Sequence, residues 1–244
     1  MSIPEIPILY QDDCMVLVHK PAGMLVHRGM WAPKEELFLL QLVRDQIGKM
    51  VYPVHRLDRP TSGLVLFALS STMAHALQTQ WQQGAVQKTY HAIIRGWMPT
   101  VEGLHCEALD DPDSGILQEA QTRWKILQTC TLPIAVSKFP EMRLSLVELE
   151  PITGRYHQLR RHFSRLQHPI IGDTTHGDRH HNHCFWEQLG LWQLMLCATR
   201  IRFAHPETGV AMDFSDEPSR NIQRIWEQVI TSPRVSEHAP FSQS

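Results

Sequence analysis

The spacing of hydrophobic positions predicts short strands in several parts of the chain. Residues 63–69 (GLVLFAL) form a continuous apolar run, which is typical of a buried strand and too short for an ordinary helix. Other apolar and β-branched runs predict further strands at 14–19, 89–95, 121–127, 144–149 and 194–203. None of these runs approaches the roughly 18 apolar residues that a membrane helix needs.

Three segments have the pattern of helices instead. Segment 35–49 has apolar residues at helical spacing, namely Leu37, Leu40, Val43 and Ile47. Segment 71–83 predicts a second helix with Ser70 or Ser71 as its N-cap, and 219–230 predicts a last one. Because strands and helices are interspersed without a regular βαβ rhythm, we predict an α+β fold.

Composition places the chain among globular proteins of the cytoplasm. Of its 244 residues, 43% are hydrophobic and 20% are charged, which suits a protein with a core and excludes a disordered chain. The beginning of the chain lacks the pattern of a secretory signal. The five cysteines are scattered and include no C-x-x-C pair, which favours a reducing compartment over a disulfide framework.

Charge is distributed unevenly although its sum is small. The chain has 23 Lys and Arg residues against 25 Asp and Glu residues, a formal net charge of -2. Segment 154–168 has four arginines, three histidines and no acidic residue, whereas 205–244 has six acidic residues and three arginines. A local basic patch can bind phosphates. The alternative interpretation is a solvated basic face of a helix.

Helical geometry divides the basic segment into two faces. The apolar face consists of Leu159, Phe163 and Leu166. The opposite, polar face consists of His157, Arg161 and Arg165. We expect Arg161 and Arg165 to face solvent and to suit phosphates. Arg160 lies about 100° from the apolar stripe and can turn toward an interior carboxylate. Gly154 and the N–H groups at the start of the helix offer a further place for an anion.

The stretch 55–63 (HRLDRPTSG) is the most unusual in the chain. Asp58 lies between Arg56 and Arg59, where a turn enters the apolar run 63–69. One interpretation is structural, because Asp before Pro-Thr-Ser-Gly commonly bonds its own backbone. The other is a nucleophilic carboxylate that an arginine keeps ionised in a partly desolvated site. The residues alone leave both interpretations open.

Six sequence blocks resemble those of the RluA-type pseudouridine synthases. They occur in the order typical of that family, namely KPAGMLVH (20–27), HRLDRPTSGL (55–64), QKTYHAIIRG (87–96), TGRYHQLRRH (153–162), HPIIGD (168–173) and LMLCATRIRFAHPETG (194–209). The family isomerises uridine to pseudouridine in RNA without a cofactor or a metal. The resemblance implies a mixed, largely antiparallel central sheet flanked by helices and loops, with the catalytic cleft across the sheet.

The resemblance assigns the chemistry to three residues. Asp58 matches the family's nucleophile, which attacks either C1′ of the ribose, on a glycal route, or C6 of the base, and the sequence does not decide between them. Tyr90 matches the tyrosine that stacks on the uracil and helps to deprotonate C5, although its own pattern indicates a core residue of a strand. Arg160 matches the arginine that pairs with the nucleophile.

Other matched positions concern RNA binding. Arg56 matches the residue that fills the gap left by a flipped nucleotide, and Leu196 matches an apolar residue that packs on the base. Arg155, Arg161 and Arg165 are expected to bind the RNA backbone. The cleft is expected to be lined by 55–63, Tyr90, 155–162 and 194–198. Three positions depart from the family's commoner residues without removing a catalytic one, namely Tyr156, Arg161 and Cys197.

The resemblance also bears on the substrate and the domain organisation. Segments 43–48, 87–97 and 172–182 are most similar to the members that modify uridine 65 of tRNA, so tRNA is the expected partner. We predict a single catalytic domain over 1–244, without an S4-type RNA-binding module and with a flexible tail at 233–244.

Three alternatives compete with this interpretation. A short member of the same family can act on ribosomal RNA or on another tRNA position. A non-catalytic RNA-binding protein needs only the arginines and leaves Asp58 as a turn residue. The histidine-rich segment 176–184 suggests zinc ligands, but their spacing is compact and favours a loop that contacts RNA.

Overall fold

The computed structural model describes residues 4–27, 37–190, 192–216, 222–223 and 226–227. The named elements of these residues are, in chain order, β1 (Ile8–Gln11), β2 (Met15–Lys20), α1 (Leu39–Ile47), β3 (Tyr52–Pro53), β4 (Ser62–Ala68), α2 (Ser71–Gln82), β5 (Gln87–Arg95), β6 (Glu102–Cys106), β7 (Leu109–Asp110), β8 (Leu117–Gln118), β9 (Gln121–Leu132), β10 (Met142–Pro151), α3 (Gln158–Arg165), α4 (Arg179–Leu189), β11 (Leu196–Ala204) and β12 (Ala211–Ser215). The chain divides into two compact units, each described below by itself.

Unit 1 comprises Met1–Lys88 and Ala198–Asp216. Its strands follow the order β1-β2-β4-β11, with β12 paired to β11 and β3 paired to β4. All seven residues of β4 are buried, which explains why its sequence is a continuous apolar run rather than an alternating one. Helix α2 packs Ala74 and Leu77 into the same core.

Unit 2 comprises Thr89–Cys197 and Glu217–Ser244. Its strands follow the order β5-β10-β9-β6, joined by antiparallel ladders, and β7 pairs with β8 in a separate two-stranded sheet. The core lies between these strands and the two helices, since Ile93 and Leu149 join one buried cluster with Phe163 of α3 and Phe185 of α4.

The predicted strands and the helix at 71–83 are confirmed with small shifts of their ends. Strand β9 is longer than the predicted 121–127 and runs to Leu132. Helix α2 begins after Ser70, whose side chain accepts a hydrogen bond from the Met73 N–H at 3.2 Å. Gly84 follows with a positive φ of 69°, which ends the helix.

The predicted apolar stripe of the first helix is confirmed only in part, since Val43 is buried but Leu40 and Ile47 are half-buried. Helix α1 buries Leu39, Leu42 and Val43, whereas Leu37 precedes the helix and is exposed. The segment is apolar at so many consecutive positions that two phases fit the same spacing, and packing selects the second. Its predicted start at residue 35 lies outside the described residues.

Several elements carried no clear pattern in the sequence. Strands β6 and β12 are each five residues long and only partly buried, so they offer too few apolar positions for a periodic signal. The predicted helix 219–230 lies largely outside the described residues, although 222–223 and 226–227 are helical. The tail 233–244 lies wholly outside them.

The α+β class is confirmed, with a mixed and largely antiparallel sheet. The ladders β1–β2, β2–β4 and β11–β12 are antiparallel, and an isolated parallel bridge joins Leu25 to Phe38. No helix within the described residues is long and apolar enough to cross a membrane.

Candidate active site

Asp58 lies in a turn of unit 1 that leads directly into β4. The Asp58 carbonyl accepts a hydrogen bond from the Thr61 N–H at 3.0 Å, which closes the turn, and its side chain is half-buried. Gly63 follows with a φ of 112°, and a Cβ there would meet the Ala198 carbonyl oxygen at 2.1 Å. Only glycine therefore allows β4 to start this close to β11. Asp58 lies where the sequence placed it, and Arg56 beside it is exposed.

His55 anchors the beginning of this loop. Its Nε2 accepts a hydrogen bond from the Leu66 N–H at 3.1 Å, and its ring stacks on Trp81 at a centroid distance of 4.7 Å. Burial, together with the positive charge of Lys88, lowers the His55 pKa to about 3. The ring is therefore neutral and serves as a fixed acceptor in the loop.

Lys20 ties the loop to the segment that follows β2. This side chain is fully buried, and its Nζ donates to the carbonyls of Pro21, Met24 and Arg59 at 2.9, 2.8 and 3.1 Å. The Gly23 N–H also donates to the Arg59 carbonyl at 2.8 Å. A buried ammonium needs such partners, so these bonds fix the chain immediately after Asp58. Lys20 was not predicted as a site residue, although it begins the KPAG sequence of the first block.

Tyr90 and Leu196 lie in unit 2. Tyr90 is in β5 opposite Leu149 of β10, and its half-buried ring packs against the same core cluster that contains Leu196. Leu196 is buried at the start of β11. The structure therefore brings these two residues to one core, which is compatible both with the core interpretation of Tyr90 and with its proposed contact to a base.

Helix α3 buries the polar residues that give the block 153–162 its character. The Gln158 amide accepts from the Thr153 hydroxyl at 2.7 Å and from the Arg155 N–H at 3.0 Å, and donates to the Gln121 carbonyl at 2.9 Å. His157 precedes the helix with a left-handed φ of 50° rather than forming part of it. His157 therefore does not share a helix face with Arg161 and Arg165, contrary to the prediction.

Arg160 forms a buried ion pair with Asp173. Its Nε and Nη2 donate to the two carboxylate oxygens at 2.8 and 2.9 Å, and both side chains are almost fully buried. Burial raises the Asp173 pKa, but Arg160 and the N–H groups of His176 and Thr175 outweigh it, so the pKa lies below its usual value. This confirms that Arg160 turns toward an interior carboxylate.

Asp173 is a site residue that the sequence analysis did not single out. Its backbone carbonyl accepts from the Asn182 side chain at 2.8 Å, and the Gly172 N–H donates to the same side chain at 2.8 Å. A Cβ on Gly172 would meet the Gln193 carbonyl oxygen at 1.9 Å. The HPIIGD block therefore places a carboxylate against Arg160. The pairing of Arg160 with Asp58, which belongs to unit 1, stays a prediction.

The other arginines of this region are held by carboxylates or backbone carbonyls of unit 2. Arg161 bonds both the carbonyl and the carboxylate of Asp110, and its side chain is only 11% exposed, so the expectation that it faces solvent is wrong. Arg165 is more exposed and donates to Glu107 at 2.8 Å. Arg155 is exposed, and its Nε donates to the Glu119 carbonyl at 2.9 Å.

Most of the histidine-rich segment 176–184 is helical rather than the expected loop, since α4 begins at Arg179. Asp178 caps α4 by accepting from the His180 and His181 N–H groups at 2.9 and 3.1 Å, and Phe185 anchors the helix in the core. The sequence hid this helix because apolar residues are scarce before Phe185. Among the described residues, the group with metal-ligand geometry lies elsewhere and consists of Asp12, Cys14 and His205.

Hydrogen bonds fix the orientation of the His205 ring in this group. The Glu207 and Thr208 N–H groups approach His205 Nδ1 at 3.3 and 3.2 Å, which places the ring proton on Nε2, 3.1 Å from Asp12. The nitrogen that faces the carboxylate is therefore a donor and not a metal ligand. We assign this group a structural role.

Comparison with known proteins gives a consistent result. A family model described as RNA pseudouridylate synthase matches residues 14–165. Relatives named tRNA pseudouridine synthase C include that of Vibrio parahaemolyticus, 43% identical over 241 residues that cover 95% of this chain and 96% of the relative. That of Pasteurella multocida is 48% identical over 211 residues, covering 82% of this chain and 86% of the relative.

Solved structures show the same fold at low sequence identity. Human RNA Pseudouridylate Synthase Domain Containing 1 matches with a TM-score of 0.73 and 22% identity, covering 100% of this chain and 93% of that chain. Human RNA Pseudouridylate Synthase Domain Containing 4 matches with a TM-score of 0.71 and 24% identity, covering 96% and 95%. Since the family model spans Asp58, Tyr90 and Arg160 and more than half of the chain, the chain belongs to the RNA pseudouridylate synthase family.

Proposed function

We propose that this protein isomerises uridine to pseudouridine in tRNA, with Asp58 as the nucleophile. The observation that carries the proposal is the match to proteins named tRNA pseudouridine synthase C over nearly the full length of both chains. The fixed, half-buried position of Asp58 before β4 supports its role. Cytoplasmic action is part of the proposal and is supported by five free cysteines.

The reaction needs one bond to break and one to form. The N1–C1′ bond of uridine breaks, a C5–C1′ bond forms, and the proton of C5 is removed while N1 gains one, so no atom is added or lost. The Asp58 carboxylate forms the covalent intermediate by attacking either C1′ of the ribose or C6 of the base. Arg160 favours the ionised carboxylate, and Tyr90 stacks on the base and assists the removal of the C5 proton. Leu196 packs against the base.

The target nucleotide has to leave its stack before the reaction. Extrusion costs a few kcal/mol, and stacking on an aromatic side chain returns about 1–3 kcal/mol. The exposed Arg56 fills the gap that the flipped nucleotide leaves in the RNA. The RNA backbone is bound by Arg155, Arg161 and Arg165. Phosphates that reach Arg161 and Arg165 compete there with Asp110 and Glu107.

The target position we propose is uridine 65 of tRNA. The support is the similarity of segments 43–48, 87–97 and 172–182 to the members with that specificity. Pseudouridine mapping in a strain that lacks the gene tests it, since loss at position 65 of tRNA alone is the expected result. Loss at a ribosomal RNA position or at another tRNA position favours the alternative member of the family.

Substitution of the nucleophile tests the catalytic proposal. Asp58→Asn keeps the shape of the turn and its backbone bond, but an amide cannot serve as the nucleophile, so we expect pseudouridine formation to fall by at least about 10³-fold. Binding of an unmodified tRNA transcript is expected to change little. The exposed Asp113 gives a matched control, and Asp113→Asn should retain full activity. Equal activity of Asp58→Asn and the parent would support the non-catalytic RNA-binding alternative.

A further inference from the structure

A cavity of about 390 Å³ lies wholly within unit 2. None of the residues that line it is assigned to the reaction. It is formed where β5 ends, where β9 turns into β10, and where α3 ends and α4 begins. The lining residues that matter here are Arg95, Gly96, Phe139, Arg143, His168 and His181. The volume falls within the range of about 300–1,000 Å³ that is usual for sites that bind small ligands.

The walls combine an exposed aromatic ring with guanidinium groups. Phe139 is 51% exposed, which is unusual for a phenylalanine, and the Lys138 ammonium lies 5.4 Å from its ring centroid. The Arg143 guanidinium lies 4.6 Å from the Trp97 ring centroid and pairs with Glu141 at 2.8 Å. The cavity therefore offers a stacking surface beside a positioned cation.

Arg95 and the two histidines form the opposite part of the wall. Arg95 pairs with Asp178 and donates to the Gln167 carbonyl at 2.7 Å. The Nδ1 of His168 bonds the Arg95 carbonyl at 2.8 Å. These contacts hold a second guanidinium in place at the cavity, so its position does not depend on a ligand.

His181 adds a buried ring to this part of the wall. Its Nδ1 lies 3.4 Å from Oδ2 of Asp178, the carboxylate that also pairs with Arg95. Asp178 therefore holds both Arg95 and His181 at this side of the cavity.

We propose that this cavity is a second RNA subsite, which takes one unpaired nucleotide of the tRNA substrate. The base lies against Phe139, and the phosphate lies against Arg143. A phosphate alone would leave the aromatic and apolar walls unused, and an apolar peptide would leave the guanidinium groups unused. A nucleotide uses both. The inference rests on the proposed function, because it takes the tRNA substrate from it.

The experiment measures dissociation constants for an unmodified tRNA transcript by filter binding. All variants carry Asp58→Asn, so that binding is read without turnover. We expect Phe139→Ala to weaken binding about tenfold, the loss expected for one stacked base. We expect Arg143→Gln to weaken binding and to reduce the slope of log K against log salt concentration by about 0.7, the value for one single-strand phosphate. Glu141→Gln removes the competing carboxylate and should strengthen binding.

A second ion pair of the same unit gives the matched control. Arg123 of β9 and Glu150 of β10 are exposed and lie 3.1 Å apart, and Arg143 and Glu141 form a comparably exposed pair at the start of β10. Arg123→Gln and Glu150→Gln should leave the dissociation constant within about twofold of the parent. Equal effects of Arg123→Gln and Arg143→Gln would show general charge attraction and overturn the proposal, as would unchanged binding by Phe139→Ala and Arg143→Gln. Thermal unfolding of each variant excludes misfolding as the cause of a loss.

The two proposals fail in distinguishable ways. If the parent chain forms no pseudouridine in tRNA but Phe139→Ala still weakens tRNA binding, the catalytic function is wrong and the subsite stands. If the parent forms pseudouridine and the cavity variants bind like the parent, the subsite is wrong and the catalytic function stands.

Discussion

His55 links the geometry of the Asp58 loop to pH. Its neutral ring accepts the Leu66 N–H bond and stacks on Trp81, and protonation would remove the acceptor. The folded-state pKa of about 3 lies below the ordinary value of 6.5. Between these values the unfolded chain binds a proton that the folded chain does not. The contribution of His55 to stability is therefore complete above about pH 6.5 and is lost as the pH falls.

The direction of this pH dependence predicts the behaviour of His55→Gln. Glutamine retains an acceptor but does not titrate, so the variant should be less stable than the parent at pH 7.5 and should lose less stability between pH 6.5 and pH 4.5. The difference in slope is expected to reach about 1.4 kcal/mol per pH unit, the value for one proton. Urea unfolding at four pH values measures it. Gln83→Ala, an exposed change after α2 that removes no titratable group, should follow the slope of the parent. Parallel slopes for His55→Gln and the parent would contradict the assigned linkage.

At the scale of elements, Asp173 connects two helices of unit 2. Its carboxylate holds Arg160 of α3, and its carbonyl accepts from Asn182 of α4. An ion pair this deeply buried adds little net stability by itself, but removal of one partner leaves the other charge uncompensated. The pair therefore fixes the position of the Arg160 guanidinium more than it stabilises the fold.

Asp173→Asn is expected to destabilise the protein by about 3–5 kcal/mol and to lower kcat more than it raises KM, because Arg160 loses its fixed position. The milder Asn182→Asp keeps an acceptor for the Gly172 N–H and loses one donor, which should cost about 1–3 kcal/mol. It serves as the second variant if Asp173→Asn does not fold. Glu150→Gln removes an exposed pair and should cost at most about 1 kcal/mol. Equal destabilisation by Asp173→Asn and Glu150→Gln would contradict the assigned role.

The elements also show what sequence patterns can and cannot predict. Strand β4 was predictable because every residue of it is buried, and α2 because Ser70 and Gly84 mark its ends. Helix α4 was not predictable, because its first turn is held by one capping carboxylate and few apolar residues. Arg160 was predicted to face a carboxylate, whereas Asp173 as that carboxylate depends on a contact between residues 13 positions apart that no periodicity encodes.

At the scale of the whole molecule, arginines and carboxylates largely neutralise each other in pairs. Arg95, Arg161 and Arg165 in unit 2 each have an acidic partner, and Arg200 and Arg202 in unit 1 share Asp213. This pairing accompanies the small formal net charge of -2. RNA phosphates would have to replace carboxylates that already occupy several of these arginines.

The same charge balance predicts that tRNA binding strengthens as the pH falls. The chain has 15 histidines, and its calculated isoelectric point is about 6.7, so its net charge changes from negative to positive between pH 8 and pH 6. Long-range repulsion of RNA then becomes attraction, and the dissociation constant for an unmodified tRNA transcript should fall by about an order of magnitude at low salt. In about 0.5 M KCl, where the Debye length is only a few ångströms, the pH effect should vanish. A pH effect that survives in high salt would contradict this long-range origin and would instead place the titrating groups in direct contact with the RNA.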